Sequence, residues 1–296
     1  MPTARSRIHR TLISWYRAHA RDFPWRRTRD PYVIMISEIM LQQTQADRVE
    51  HKLPVFLKRF PTVGALARAR RSSVIKAWQG MGYNRRAVHI HNAAKAIADR
   101  GAFPDDMASL RALPGIGRYT ASAIMCFAHG AEVPVVDVNI RRVLARLSKK
   151  RASFHDLPGE HDIWALAEKW LPAKNVYLWN QALMDIGARF CKARSVECSA
   201  CPLRTLCPSR ATLSVLVSPR TGRRVSEPMH KEIPHRIWRG RIVHALRSRT
   251  FADVRALTNA IDPTCSALDV RVIETLVKKL KRDGLVRRTG TRIALA

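Results

Sequence analysis

The segment Leu113-Pro-Gly-Ile-Gly-Arg-Tyr-Thr-Ala-Ser-Ala-Ile124 joins two stretches in which apolar residues recur at helical spacing. Gly115 and Gly117 allow a tight backbone turn and leave amide groups free to approach a phosphate oxygen. A helix that begins at Arg118 adds the positive end of its dipole. The pattern is typical of a helix-hairpin-helix, which binds nucleic-acid phosphates without reading sequence, although an ordinary helix connection is the alternative. We therefore predict phosphate contacts at Gly115, Gly117 and Arg118.

The composition of the chain predicts a polyanionic partner. Among 296 residues, 53 are Lys or Arg and 23 are Asp or Glu, which gives a net charge of +30 spread along the sequence. No apolar run reaches the length of a membrane span, and the N-terminus lacks the apolar core of a signal peptide. We expect double-stranded DNA as the partner, no membrane, a monomer, and a cytoplasmic, nucleoid-associated location in which thiols stay reduced.

Four of the six cysteines fall in one loop, Cys191, Cys198, Cys201 and Cys207, with the spacing C-x6-C-x2-C-x5-C. Four thiolates on one loop supply all the ligands of a [4Fe–4S] cluster. A structural zinc is the alternative, but zinc ligands usually form two close pairs separated by a longer element. The intervening Lys192 and Arg194 suit a loop pressed against DNA phosphates, or a solvated loop.

Up to Cys207 nearly every segment reads as helix. Asp30-Pro31 predicts the start of a helix that continues to Leu41, and Gly80-Met-Gly82 interrupts the chain before a basic helix over 84–100. Beyond a stretch without periodicity at 208–235, the sequence predicts three helices and a two-stranded ribbon around Thr289-Gly290. The three helices are expected near 236–247, 251–260 and 268–282.

Two carboxylates stand out from their surroundings. Glu38 interrupts an apolar helix, and Asp137 closes the apolar run Val133-Pro-Val-Val136 just before another helix. Taken singly, Asp137 could be a helix N-cap and Glu38 a solvated polar position. Their occurrence together with the hairpin and the cysteine loop favours a functional interpretation.

The chain from about Ile13 to Cys207 resembles the helix-hairpin-helix DNA glycosylases that hold an iron–sulfur cluster. Within that superfamily it is most similar to the adenine DNA glycosylases, the MutY family. Besides the hairpin and the cysteine loop, the similarity rests on Phe23-Pro-Trp-Arg26, Ser37-Glu-Ile-Met-Leu-Gln-Gln-Thr-Gln45, Trp78-Gln-Gly-Met-Gly-Tyr83, Val136-Asp-Val-Asn139 and Trp179-Asn-Gln-Ala-Leu-Met-Asp-Ile-Gly187.

The resemblance implies a mainly α, two-lobed helix-hairpin-helix glycosylase fold with a [4Fe–4S] loop and a small C-terminal winged-helix-like module. The expected organisation has five parts. These are an N-terminal helix segment, 1–21, packing with the iron–sulfur lobe; a six-helix domain with the hairpin, 22–133; the iron–sulfur lobe, 134–207; a linker, 208–235; and the winged-helix-like module, 236–296.

The resemblance also implies the roles of the two carboxylates. Glu38 would be the general acid that protonates the departing adenine, and Asp137 would stabilise the oxocarbenium ion of the sugar. Hydrolysis of a glycosidic bond uses two carboxylates in this way. Tyr119 and Asn139 match positions that orient or assist these carboxylates.

Other positions match the family's contacts with the substrate. Trp25, Arg26 and Gln181 match the pocket that receives the extruded base, whereas Gln43 and Tyr83 match residues that wedge into the base stack. Such wedges help to offset the cost of extruding a base, which is about a few kcal/mol.

Two features limit the reaction. Superfamily members that also cut the backbone have a lysine where this chain has Tyr119, and a phenol cannot form a Schiff base, so we expect a monofunctional enzyme with weak or no lyase activity. The family usually carries a Nudix-like domain that reads 8-oxoguanine, and the 236–296 module does not resemble one. The sequence therefore leaves the preference between guanine and 8-oxoguanine open.

Two rival functions remain. A thymine or uracil glycosylase acting on T·G or U·G mispairs would share Glu38, Asp137, Tyr119 and the cluster, but that branch tends to be basic where this chain has Gln42 and Gln43. A non-catalytic iron–sulfur redox sensor that binds DNA would have no use for the two carboxylates.

Overall fold

The computed structural model describes residues 3–149, 158–213 and 227–296. Residues 214–226 of the predicted linker lie outside the described residues. The same is true of residues 150–157 in the predicted iron–sulfur lobe and of residues 1–2. Among the described residues, no helix is both long and apolar enough to cross a membrane.

The described chain is mainly helical, with two small antiparallel ribbons. The helices are α1 Ala4–His19, α2 Pro31–Leu41, α3 Ala46–Arg59, α4 Val63–Arg68, α5 Arg71–Ala77, α6 Arg85–Arg100, α7 Met107–Ala112, α8 Arg118–Phe127, α9 Val138–Lys149, α10 Glu160–Lys169, α11 Val176–Arg189, α12 Arg210–Leu213, α13 His235–Ser248, α14 Val254–Ile261 and α15 Ala267–Arg282. The strands are β1 Met229–His230, β2 Ile233–Pro234, β3 Val286–Thr289 and β4 Arg292–Leu295. A single 3₁₀ turn, Pro24–Arg26, precedes α2.

The chain forms two compact units. The first comprises Met1–Met35, Asp105–Arg111 and Ile116–Gly222. Its core joins α1 to α9, α10 and α11, and the cysteine loop packs against the same core through Leu203, Cys191, Cys201 and Cys207. The N-terminal helix therefore shares one apolar core with the three helices α9 to α11, which precede the cysteine loop.

The second unit comprises Ile36–Pro104, Ala112–Gly115 and Arg223–Ala296. Helices α4 and α5 pack on α6, while α13, α14 and α15 pack together against the ribbon β3–β4. Strand β4 also contacts α5, and Arg247 donates from α13 to the carbonyl of Ile75 (3.4 Å) and to Asn84 Oδ1 (3.2 Å). The C-terminal module is thus part of the same compact unit as helices α3 to α6.

Several local predictions are confirmed. Asp30 caps α2, since its carboxylate accepts from the amide of Tyr32 at 2.8 Å. The three C-terminal helices and the ribbon lie where the sequence predicts them, and Gly290 has the positive φ of +60° that the tight turn needs. Phe251 pairs with Ile293 by backbone hydrogen bonds of 2.9 and 2.8 Å and extends the ribbon by one further bridge.

The ends of the segment predicted as a linker differ from that prediction. Residues 210–213 form a helical turn whose Leu213 is buried, and Met229–Pro234 form a two-residue-per-strand hairpin. The hairpin turn uses Lys231 and Glu232 at positive φ. Both elements are too short for hydrophobic periodicity to reveal them.

Candidate active site and cysteine loop

Glu38 lies in the last turns of α2 and is buried, with 3% of its surface exposed. It belongs to the second unit, whereas Asp137 belongs to the first. The neighbouring Ser37 and Ile39 are buried as well. Because a carboxylate is rarely fully buried without a specific environment, its position excludes the interpretation of Glu38 as a solvated polar residue.

Asp137 lies directly before α9 and is half-buried. Its Oδ1 accepts from the backbone amide of Ile140 at 2.6 Å, and its Oδ2 accepts from Asn139 Nδ2 at 2.8 Å. The first contact is an N-cap, so the interpretation of Asp137 as the residue that begins a helix is correct. The second contact comes from a side chain and fixes the plane of the carboxylate.

Opposing effects set the pKa of Asp137. Burial raises the pKa above the ordinary value for aspartate, whereas hydrogen bonds from Ile140 and Asn139 and the charge of Arg142 lower it. Burial has the largest effect, so the net direction is upward. An anion that is held in place by hydrogen bonds is suited to stabilising positive charge that develops near it.

Arg142 connects this carboxylate to the cysteine loop. Its Nη2 donates to Asn139 Oδ1 and to the carbonyl of Gly187, both at 2.8 Å, and its Nε donates to the carbonyl of Cys191 at 2.6 Å. Gly187 must be glycine here, because a Cβ would lie 2.6 Å from Cβ of Asn139. Helices α9 and α11 therefore approach closely at the residue that orients Asp137.

The cysteine loop is anchored by a second arginine of α9. Arg146 Nη1 donates to Cys191 Sγ at 3.1 Å and to the carbonyl of Lys192 at 3.0 Å, while Ser209 Oγ donates to the Arg146 carbonyl at 2.7 Å. Arg142 and Arg146 are four residues apart and so lie on one face of the helix. Two guanidinium groups thus face the start of the loop.

The four thiols influence one another. Burial raises the pKa of Cys201 to about 12 and also raises the pKa values of Cys198 and Cys207, and the charges of neighbouring cysteines add to each increase. In the described part of the chain no three His, Cys, Asp or Glu side chains gather as closely as around a single metal ion. The loop supplies four thiols beside two guanidinium groups, and four thiols are the set of ligands that a [4Fe–4S] cluster would need.

Two residues predicted to line the base pocket have structural partners. Arg26 donates to both carboxylate oxygens of Asp185, at 2.9 and 3.0 Å, and Asp185 is fully buried. Trp25 is buried and stacks on Phe23 with a centroid distance of 4.5 Å. The guanidinium of Arg26 is therefore bound by the carboxylate of Asp185, and this ion pair gives the arginine a structural role.

The other predicted contacts lie on well-formed elements. Gln181 is buried on α11 at 4% exposure, and Tyr119 is half-buried in the first turn of α8. Gln43 and Tyr83 have positive φ values, 55° and 42°, and the Tyr83 side chain is exposed. Gln42, whose carbonyl accepts from Arg86, opens the turn after α2 that contains Gln43.

The hairpin has the geometry expected of it. Gly115 has a φ of +79°, and a Cβ there would lie 2.6 Å from His89, so only glycine fits. Gly117 is extended and directly precedes α8, as the predicted hairpin requires. Arg118 packs over the Trp164 ring at 4.0 Å and pairs with Glu168 at 3.6 Å, which reduces its freedom to reach a phosphate.

On the cysteine loop, Lys192 is exposed and pairs with Glu197 at 2.9 Å, and Arg194 is exposed.

The sequence patterns did not reveal four other polar residues, each of which is buried and makes several polar contacts: Asp185, Arg142, Arg146 and Arg86. Arg142 and Arg146 recur four residues apart on the buried face of an amphipathic helix, and this spacing was the sequence signal that could have identified both.

Comparison with known proteins agrees with this geometry. The sequence model for HhH-GPD superfamily base excision DNA repair proteins matches residues 36–172. The adenine DNA glycosylase of Mycolicibacterium smegmatis is 38% identical over 290 residues, which cover 96% of this chain and 94% of that protein.

Solved structures agree on the fold. A thermostable thymine-DNA glycosylase superposes with a TM-score of 0.64 at 31% identity, covering 71% of this chain and 97% of that one. An endonuclease III from a non-covalent complex with DNA has a TM-score of 0.61 at 22% identity, with coverages of 73% and 100%. The chain belongs to the adenine DNA glycosylase family, within the HhH-GPD superfamily of base excision DNA repair proteins.

Proposed function

We propose that this chain excises adenine mispaired with guanine or 8-oxoguanine in duplex DNA and that it acts as a monofunctional glycosylase. The observation that supports this proposal most directly is the carboxylate of Asp137, fixed by Ile140 and Asn139 beside a helix that also supports the cysteine loop. Family membership supports the choice of adenine as the base.

In the proposed reaction Glu38 donates a proton to a ring nitrogen of adenine. The bond between that base and C1′ of the sugar breaks, and its electron pair leaves with the base. Asp137, ionised, stabilises the oxocarbenium ion at C1′, and water adds there and loses a proton. Burial of Glu38 and the rigid hydrogen bonding of Asp137 suit an acid and an electrostatic stabiliser respectively.

DNA binding is proposed to involve four groups of residues. The amides around Gly115 and Gly117 contact the phosphates, with Lys192 and Arg194 adding positive charge. Gln43 and Tyr83 enter the base stack, and the extruded adenine meets Trp25 and Gln181. Tyr119 assists the carboxylates and forms no Schiff base. The residues 236–296, three helices and a ribbon, act as a winged-helix-like module that adds phosphate contacts.

Cys191, Cys198, Cys201 and Cys207 are proposed to hold a [4Fe–4S] cluster, which would shape the loop and take no part in breaking the glycosidic bond. The purified protein should be brown and contain about four irons per chain. Iron and zinc are measured by mass spectrometry after anaerobic purification, with a Cys201→Ala variant for comparison. Stoichiometric zinc without iron contradicts this assignment.

Base release tests the activity. Duplexes with A·G, A·8-oxoG, T·G and U·G are incubated with the protein under single-turnover conditions, and free base is measured by chromatography. Adenine release from both adenine mispairs supports the proposal. Release of thymine from T·G instead supports the second candidate, a thymine glycosylase, which is favoured by the 31% identity to the thymine-DNA glycosylase structure.

A further inference from the structure

A buried guanidinium joins the two turns that carry Gln43 and Tyr83. Arg86, in the first turn of α6, is only 7% exposed. Its side chain has no carboxylate partner among the described residues, and burial lowers its pKa to about 10. Burying a charged group without an ion pair is costly unless hydrogen bonds replace its water, so its contacts need an explanation.

One nitrogen of Arg86 binds the end of α2. Nη1 donates to the carbonyls of Ile39 (2.7 Å), Met40 (3.0 Å) and Gln42 (2.5 Å). These carbonyls lie at the C-terminal end of a helix, where acceptors have no partner within the helix and the dipole is negative. The arginine therefore fixes the backbone immediately before Gln43.

The other nitrogen binds the turn after α5. Nη2 donates to the carbonyls of Met81 (2.9 Å) and Gly82 (3.3 Å) and to Thr44 Oγ1 (3.1 Å). The guanidinium also lies 5.5 Å from the centre of the Tyr83 ring. These contacts fix the backbone immediately before Tyr83.

Both turns have a strained backbone, and the residues concerned, Gln43 and Tyr83, are exposed to solvent. Gln43 and Tyr83 both have left-handed backbone conformations, with φ values of 55° and 42°, which are unfavourable for residues other than glycine. Tyr83 nevertheless presents 59% of its surface. Strained backbone persists only where surrounding contacts impose it, and here Arg86 contacts both turns.

We propose that Arg86 is a positioning residue whose guanidinium holds Gln43 and Tyr83 as one rigid pair for entry into the base stack. The inference rests on the proposed function, in which these two side chains contact DNA. Arg86 touches neither base nor sugar in this scheme. Its effect falls on extrusion of the base and not on the breaking of the glycosidic bond.

The test compares Arg86→Lys with Arg85→Lys. Lysine keeps the charge but cannot supply two forked donors to two turns. Arg85 is the adjacent, exposed residue and serves as the matched control. Both variants are characterised by single-turnover adenine release from A·G and by the fluorescence of 2′-fluoro-2-aminopurine opposite guanine, which brightens when the base leaves the stack and resists cleavage.

Arg86→Lys should reduce adenine release by about tenfold or more, because small displacements of positioning groups have effects of that size. The rise in fluorescence on binding should fall in parallel, whereas DNA affinity should stay within about threefold, since phosphate contacts dominate binding. Arg85→Lys should behave as the parent in both measurements.

A double-mutant cycle separates positioning from general damage to the fold. In a Tyr83→Ala background, Arg86→Lys should lose most of its effect, because its partner side chain is gone. Thr44→Val is a milder variant that removes one acceptor of Arg86, and its effect should likewise shrink in the Tyr83→Ala background. This variant provides the test if Arg86→Lys folds poorly. Two outcomes overturn the inference. One is an equal, additive loss of adenine release from Arg86→Lys in the parent and Tyr83→Ala backgrounds, and the other is slow adenine release with a normal rise in fluorescence. If the parent releases no adenine, the proposed function fails instead.

Discussion

Both carboxylate oxygens of Asp137 accept hydrogen bonds from α9, one from a backbone amide and one from Asn139. The side chain therefore starts a helix and presents a fixed anion at the same time. Asparagine has the same shape and can still accept from the Ile140 amide, but it has no charge. Substitution at this position separates the structural role from the electrostatic one.

Asp137→Asn should slow adenine release by about 10²–10³-fold, the size of effect seen when a preorganised electrostatic group is removed. Binding to an A·G duplex should change little. Release is measured in single turnover and binding by fluorescence anisotropy. A rate within about tenfold of the parent would show that this carboxylate does not stabilise the sugar cation, since removal of such a group costs more.

Asn139→Ala should move the acidic limb of the pH–rate profile to higher pH. The Asn139 amide lowers the pKa of Asp137 against the larger effect of burial, so its loss raises that pKa further. The active form is the ionised one, so a higher pKa means that activity is lost earlier as pH falls. Single-turnover rates at a series of pH values measure the midpoint, with the exposed Val138→Ala as control; an unmoved midpoint contradicts the expectation.

The sequence could identify Glu38 and Asp137 as exceptional, because each is a carboxylate beside an apolar run. It could not show that Arg26 is bound by Asp185, since the two residues are 159 positions apart and only the fold brings them together. The same is true of Arg86, whose acceptors are mostly backbone carbonyls. A carbonyl acceptor leaves no mark on residue type, and so no pattern predicts it.

At the scale of elements, α9 and α11 approach closely at Gly187, where α9 contributes Asn139. Gly240, in the middle of α13, is the opposite case, because a Cβ there would meet nothing within 4 Å. Replacing glycine by alanine at each position therefore compares a tightly packed helix site with an open one.

Gly187→Ala should lower the free energy of unfolding by about 1–3 kcal/mol through overpacking. Gly240→Ala should raise it by about 0.5–1 kcal/mol, because alanine loses less conformational entropy in a helix. Urea unfolding followed by circular dichroism measures both. Shifts of the midpoint in the same direction for both variants would refute the close approach of α9 and α11.

Elements with strong boundary signals were predictable from sequence. Helix α2 begins at an Asp-Pro pair, and the ribbon β3–β4 turns at a glycine. Helix α12 and the hairpin β1–β2 were not predictable, because each is too short to show a recognisable pattern. Tertiary contacts hold the hairpin, such as the hydrogen bond that Trp238 Nε1 donates to the carbonyl of His230 at 3.0 Å.

At the scale of the whole molecule, the net charge of +30 makes salt the strongest control of DNA binding. Lys279, Lys281 and Arg287 on α15 and β3 are exposed and have no carboxylate partner within the described ranges. Deleting the module would expose the faces of α5 and α6 that it covers, so point substitutions are the better test.

Changing these three residues together to Gln should reduce the slope of log K against log salt by about 0.9 for each phosphate that the variant no longer neutralises. The ratio of adenine release from A·8-oxoG to release from A·G should not change. The matched control replaces Lys279 and Lys281 by Arg and Arg287 by Lys, which preserves charge. A collapsed 8-oxoguanine preference with an unaltered slope would mean that the module reads the opposite base.

The second unit is built mainly from two stretches of chain that are far apart in sequence. Residues 36–104 leave the ribosome early, and residues 223–296, which pack against them through β4, Arg247 and Gly284, leave it much later. Contacts between such distant stretches form slowly, because a long loop must close first. During synthesis α5 and α6 therefore stay without the cover of residues 227–296 until those residues have left the ribosome.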